Sequence, residues 1–316
     1  MPHNTLMAPE NPNGHDGESE GSSGPSQAMN IMELPGLHTP HARRPLLIWG
    51  GISLLIIDLC ALPIAYYYAF KFGTKLSLQD IFGIITGIFG LLSFGHYFFR
   101  SLKLFRSKES SKWRPVGWKR WGMMEFLHIN LLLCITVFEI ELVVGTIPHN
   151  PIVRLVAMPS PTICFYFGFL LCGTAVLTQM KKTLPFDMSS TPKGTLWRPA
   201  VLAFIEDAGG IEGRGGVDYR AAVIKRYEVS PQFRRMILLL SWIWGLGMIF
   251  IAIVSTILIM LLKEDIGFGV GWGLPWAFSA VYSIMTAAFV SSQLKKEKEE
   301  WTAKEGASAD RSMAPV

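Results

Sequence analysis

Six blocks of apolar residues, each about 20 residues or longer and poor in charge, alternate with basic segments along the chain. A helix needs about that length to cross the hydrocarbon core of a bilayer. The blocks predict six membrane-spanning helices, at about residues 45–70, 78–99, 121–147, 161–180, 236–262 and 275–294. The expected fold class is therefore all-α, a polytopic membrane protein built as a six-span helical bundle. Residues 1–42 are rich in Pro, Gly, Ser and Asn and contain no Lys or Arg, which predicts a disordered N-terminal tail. This tail lacks the basic n-region of a signal peptide, so the first span is expected to direct insertion. Three parts follow: a tail over 1–42, a membrane domain over 43–294 that includes a polar segment at 181–235, and a charged tail over 295–316.

Charge fixes the expected orientation. With the N-terminus placed in the cytosol, cytosolic segments carry 25 of the 29 Lys and Arg residues, leaving Lys71, Lys75, Arg154 and Lys263 on the other side. Such an excess is what the positive-inside rule produces. It predicts an integral, multi-pass protein with both termini cytosolic, in an endomembrane. The net charge of +5 points to anionic lipid headgroups as partners, and not to nucleic acid, since no basic-aromatic recognition motif is present. Cys60, Cys134, Cys164 and Cys172 all fall in apolar blocks without a pairing or zinc pattern, so they read as small buried hydrophobes. Trp272 and Trp276 read as interfacial belt residues. Gly83, Gly87 and Gly90 read as positions of close helix approach.

The segment 181–235 is too short for an independent domain. Arg198-Pro199 opens a short helix over 199–208, and Gly209-Gly210 read as its end. A second helix follows over 217–228, with Tyr219, Val223 and Tyr227 on one face. Ser230-Pro231 is a cap and first-turn pair for the next span. The expectation is two amphipathic helices on the membrane surface, joined by a flexible acidic-glycine turn.

Polar groups inside spans are costly in lipid and mark function by default. At 100° per residue, Glu125, His128 and Glu139 of the third span share one face, and Asn130 and Glu141 share another. A carboxyl group in a low-dielectric site holds a proton at neutral pH, as a general acid must. That makes Glu125, Glu139, Glu206 and Asp207 the candidate catalytic acids, with His128 assisting. Asp58, His96, Asn130 and Glu141 are candidate substrate-binding groups. Arg100 reads as an interfacial residue whose head reaches water. Glu206, Asp207, Glu212 and Asp218 match no cation-loop spacing, and GGIEGRGG matches no phosphate-binding loop, so no metal and no cofactor is expected.

The run from Arg198-Pro199 through Ile205-Glu206-Asp207 to Glu212-Gly213-Arg214-Gly215-Gly216, then Tyr219-Arg220, then Arg226-Tyr227-Glu228-Val229-Ser230-Pro231, carries a resemblance. It is similar to a motif of polytopic membrane proteins of filamentous fungi, R-P-x5-I-E-D-x4-D-G-x-G-G followed by Y-R and R-Y-x-x-S-P-x-F-R. Glu212 stands where that motif has Asp, and Gly209-Gly210 stand where it has apolar residues. The family resembles the membrane-bound terpene cyclases of ascochlorin- and ascofuranone-type meroterpenoid pathways. The resemblance implies an acid that protonates a prenyl epoxide, after which the alkene chain closes onto the cation, with Glu206 and Asp207 as the matching acids.

The resulting expectation is a membrane-embedded cyclase of secondary metabolism that acts on a prenylated, lipid-like small molecule. The alternatives are a small-solute transporter or channel using Asp58, Glu139 and Glu141, and a non-catalytic membrane adaptor working through 181–235.

Overall fold

A computed structural model describes residues 34–37, 61–105, 110–117 and 125–313. The described residues are helical, and their only β structure is two isolated antiparallel bridges, Thr183 to Leu196 and Met188 to Thr191. In chain order the helices are α1 (Leu62–Gly73), α2 (Leu78–Phe105), α3 (Phe126–Thr146), α4 (Val153–Val156), α5 (Pro159–Gln179), α6 (Ala200–Ile211), α7 (Gly216–Val229), α8 (Pro231–Leu261) and α9 (Glu264–Met313).

Five of these, α2, α3, α5, α8 and α9, are long and apolar enough to cross a membrane. The expected first span and the tail over 1–42 lie outside the described residues, except for α1 and residues 34–37. The helix that holds the stretch expected as the sixth span begins at Glu264, well before the expected Pro275, and Pro275 lies inside α9. Glu264 and Asp265 occupy the first turn of α9, where the unsatisfied N–H groups favour negative charge. The charges that excluded this stretch from an apolar window thus open the helix.

Small residues set the tightest crossing. A Cβ on Gly168 of α5 would lie 2.7 Å from Ile249 and 3.0 Å from the Gly245 carbonyl of α8. A Cβ on Gly245 would lie 2.5 Å from the Cys172 sulfur. Without a hydrophobic force between helices in lipid, such close backbone approach is what holds a pair together. Among the described residues, a Cβ at Gly83 or Gly87 meets nothing within 4 Å, whereas one at Gly90 lies 3.5 Å from the Glu139 carboxylate.

The core on the side away from the cap gathers Tyr67, Phe82, Phe89, Phe138, Phe268 and Trp272. Trp272 is fully buried and its Nε1–H donates to the Val156 carbonyl at 3.1 Å, so it anchors α9 to α4 and is not a belt residue. A polar clasp ties the same region together: Tyr67 Oη donates to Asp265 Oδ1 at 2.5 Å, and Lys71 pairs with that carboxylate.

At the other end α6 and α7 form a cap packed on α3, α5 and α8. Ser230 caps α8, its Oγ accepting from Phe233 N at 3.1 Å, as the Ser-Pro pair predicts. Gly245→Leu is expected to lower stability by about 1–3 kcal/mol, because a core without space must shift. Thermal unfolding of the detergent-solubilised protein checks this.

Candidate functional site

The site lies where the cap meets the first turn of α3, and it is built around Arg220 of α7. The Arg220 side chain is fully buried. Its Nη1 donates to Asp207 Oδ1 at 2.5 Å and to Glu206 Oε1 at 3.3 Å. Its Nη2 donates to Glu125 Oε1 and, at 3.0 Å, to the Trp113 carbonyl. Arg100, from α2, donates through Nη2 to Glu125 Oε2 at 2.6 Å and through Nη1 to Glu212 Oε1. Glu125, Glu206 and Asp207 therefore converge on one centre, from two segments far apart in sequence.

Local sequence explains how the guanidinium gets there. A Cβ on Gly210 would lie 2.6 Å from Arg220 Nε, and one on Gly209 would lie 2.0 Å from Tyr219. Only glycines let α7 lie this close over the end of α6. Gly209 and Gly210 do not end α6, which runs on to Ile211. The turn expected to be flexible is a packed contact, and the acidic face of α6 points inward instead of to solvent. Arg100 is likewise turned inward and buried, since its charge has two carboxylates to meet there.

The cap also completes α3. Glu125 occupies the N-cap position of this helix but makes no side-chain cap bond. The free N–H groups are satisfied from the cap side: Leu127 N donates to Asp207 Oδ2 at 3.0 Å, and Phe126 N donates to Ser189 Oγ at 3.0 Å. Ser189 Oγ in turn donates to Asp207 Oδ2 at 2.6 Å. Ser190 donates to Glu206 through its N–H at 3.1 Å and through its hydroxyl. A carboxylate at a helix N-terminus is favoured both by these bonds and by the helix dipole.

Three fully buried carboxylates face two buried arginines. Burial first, and then the Asp207 charge, raise the Glu125 pKa from 4.5 to about 7, against the pull of Arg220 and Arg100. Glu206 is raised for the same two reasons, against Arg220. Burial alone would lower the Arg220 pKa, but Glu125, Asp207 and Glu206 together raise it.

The other sequence candidates fall elsewhere on α3. His128 faces α2, its Nε2 3.2 Å from Ser101 Oγ and its ring stacked on Tyr97. Ser101 Oγ donates to the Tyr97 carbonyl at 2.9 Å, so it accepts from His128 Nε2–H. Glu139 also faces α2, beside Gly90. Asn130 and Glu141 face α5 instead: Tyr166 Oη donates to Asn130 Oδ1 at 2.5 Å, and Thr162 Oγ1 donates to Glu141 Oε1 at 2.7 Å. The structure thus joins Glu125 to Glu206 and Asp207 but leaves Glu139 and Glu141 outside the centre. Asp58 lies outside the described residues, as does the side chain of His96. Among the described residues no group of three or more His, Cys, Asp or Glu is placed to hold a metal ion.

Sequence reasoning missed Arg220 as the hub and Ser189 and Ser190 as partners. The signal available was the Tyr219-Arg220 pair inside the motif, which carries a cation at a fixed distance from the acids.

The described residues hold two cavities. One, of about 230 Å³, lies between α3 and α5 and is lined by Cys134, Val137, Thr162, Ile163, Phe165 and Tyr166. The other, of about 480 Å³, lies at the cap surface beside Lys112, Trp113, Arg214 and Asp218. Neither is lined by Glu125, Glu206 or Asp207.

The sequence matches the family described as Domain of unknown function (DUF8766) over residues 29–301. The chain belongs to this family. The match takes in the helices from α1 to α8 and the acid–arginine centre, and it reaches back to residues 34–37. No curated protein and no solved structure matches the chain.

Arg220→Met would leave buried Glu206 and Asp207 without the arginine they share and Glu125 with Arg100 alone, and is expected to cost about 3–5 kcal/mol. Arg198→Met, which breaks a pair to the exposed Glu228, should cost under about 1 kcal/mol. Thermal unfolding of the two variants beside the wild type measures the difference. A second expectation concerns pH. The folded chain holds the Glu125 proton more tightly than the unfolded chain, so it binds more protons between pH 4.5 and about 7. Stability should therefore fall as pH rises through that window, and Glu125→Gln should make the fall shallower, the remainder coming from Glu206, which is raised in the same direction.

Proposed function

We propose that this protein is a membrane-embedded acid catalyst that cyclises or isomerises a prenylated, lipid-like substrate. The observation that carries the reading is the charge count at the centre. Among the described residues, the buried Glu125, Glu206 and Asp207 pair with two arginines, Arg100 and Arg220, and in this reading one of the three acids keeps a proton near neutral pH. A proton held in a water-excluded site is what acid-initiated cyclisation requires.

Glu125 is the donor in this reading, because it is the acid that borders the membrane domain. Protonation of an epoxide oxygen opens the C–O bond, an alkene attacks the resulting cation, and loss of a proton to the same carboxylate completes an isomerisation without net redox change. Arg220 and Arg100 stabilise the carboxylate after proton transfer. The apolar cavity between α3 and α5 suits the prenyl chain, and its Tyr166 donates to Asn130, one helical turn from the start of α3. Because the acids are sealed under α6 and α7, the reaction also requires the cap to lift. In the orientation that the basic residues favour, the cap is cytosolic and the protein belongs to an endomembrane.

A second reading, a non-catalytic membrane adaptor, is favoured by the hydrogen-bonding of all three acids to cap or bundle groups. The transport reading has less support, since Glu139 and Glu141 face different helices.

Purified protein incubated with a prenylated epoxide separates these readings. The catalytic reading expects a cyclised isomer by mass spectrometry, with Glu125→Gln lowering turnover by about 10²-fold or more, as loss of a general acid does. Turnover that survives Gln or Asn at Glu125, Glu206, Asp207 and Glu139 would sink it. Absence of any product from the wild type favours the adaptor.

A further inference from the structure

On the face of α7 turned away from the acid centre, Arg226 forms a second buried ion pair. Its Nη2 donates to Glu297 Oε2 at 2.6 Å and its Nε to Oε1 at 3.2 Å. Glu297 belongs to the stretch of α9 that runs beyond the apolar span, among the exposed Lys295, Lys296 and Lys298. It is nonetheless only 2% exposed, and Arg226 is 8% exposed. Part of the cover comes from residues 34–37. Arg226 Nη1 donates to the Pro35 carbonyl at 3.2 Å, and Leu37 packs against the cluster of Leu202, Val223, Tyr227 and Phe233.

We infer that residues 34–37, Leu-Pro-Gly-Leu, form a detachable strap that latches the cytosol-facing extension of α9 to α7 by shielding the Arg226–Glu297 pair. Three observations carry this. Among the described residues, the strap is held by a main-chain carbonyl and a leucine, a small contact of the kind that opens at low free energy. Leu34, Pro35 and Leu37 are only partly buried and Gly36 is exposed. Beneath it lies an ion pair whose strength depends on exclusion of water: buried, it is a strong constraint, and wetted, it falls into the weak class of surface pairs.

Opening the strap therefore weakens two contacts at once, its own and the pair below. The helix that the strap covers, α7, also carries Arg220 of the acid centre. The surface formed by Arg226, Val223 and Phe233 is thus a docking site for a short Leu-Pro-x-Leu segment, occupied in cis by the chain's own N-terminal part.

Hydrogen exchange on the full-length protein in detergent tests the strap, comparing wild type, Leu37→Asp, Glu297→Gln and the double variant. Leu37→Asp is expected to speed exchange about tenfold in residues 223–229 and 294–301 while α5 and the middle of α8 stay unchanged. In the double variant Glu297→Gln should add less than it does alone, since the pair is already wet. Trypsin should cut after Lys295, Lys296 and Lys298 correspondingly faster. The milder Leu37→Ala gives the same pattern at smaller amplitude and serves if Leu37→Asp does not fold. Exchange within twofold of wild type in both segments, or fully additive effects of the two substitutions, overturns the proposal.

Discussion

A single guanidinium decides how the two ends of this protein relate. Arg220 is fully buried, so its charge is acceptable only where carboxylates surround it. Those carboxylates come from α6 and from the residue that opens α3. Each member is costly alone and tolerable only with the others in place, so the cap and the bundle are specified jointly. This is the behaviour of buried polar networks in general: half-satisfied they are worse than an apolar core, and complete they select one arrangement.

The same centre explains why the glycine-rich run is where it is. The Arg220 side chain needs to lie on the backbone of α6, and the space it occupies is the space a Cβ would take at Gly210. The motif is thus a geometric unit: acids on the inward face of one helix, glycines at its end, and an arginine early in the next. Among the described residues, three buried acids and two arginines make up this unit, so its packing and its electrostatics are set by the same side chains.

Much of the architecture was legible in the sequence. Apolar length marked the five described spans, because a bilayer imposes length more strictly than any soluble core does. Helical periodicity divided α3 into a side with Glu125, His128 and Glu139 and a side with Asn130 and Glu141, which face α2 and α5 respectively. What could not be read was the inward direction of the α6 acids. Polarity alone assigns such groups to solvent, and the cations that reverse the assignment come from elsewhere in the chain. Gly209 and Gly210 misled for a related reason: a glycine pair is a default stop, and only the neighbouring helix shows that it marks a contact. Trp272 was placed at an interface by type, whereas its partner is a carbonyl in a four-residue helix that no periodicity announces.

The cap bonds on α3 have a consequence for how the protein is made. Glu125 and Arg220 are 95 residues apart, and the Asp207 that receives Leu127 N comes 80 residues after it. At ordinary translation rates of roughly 5–20 residues per second, the first turn of α3 reaches the membrane many seconds before its partners exist. During that interval Glu125 has no cap arginine beside it, and the start of α3 is open to the aqueous boundary. Biogenesis of this bundle therefore has a late, sealing step: the last parts of the centre arrive after α3 and α5 have been synthesised, and the helix end they close is one that was committed to the bilayer well beforehand.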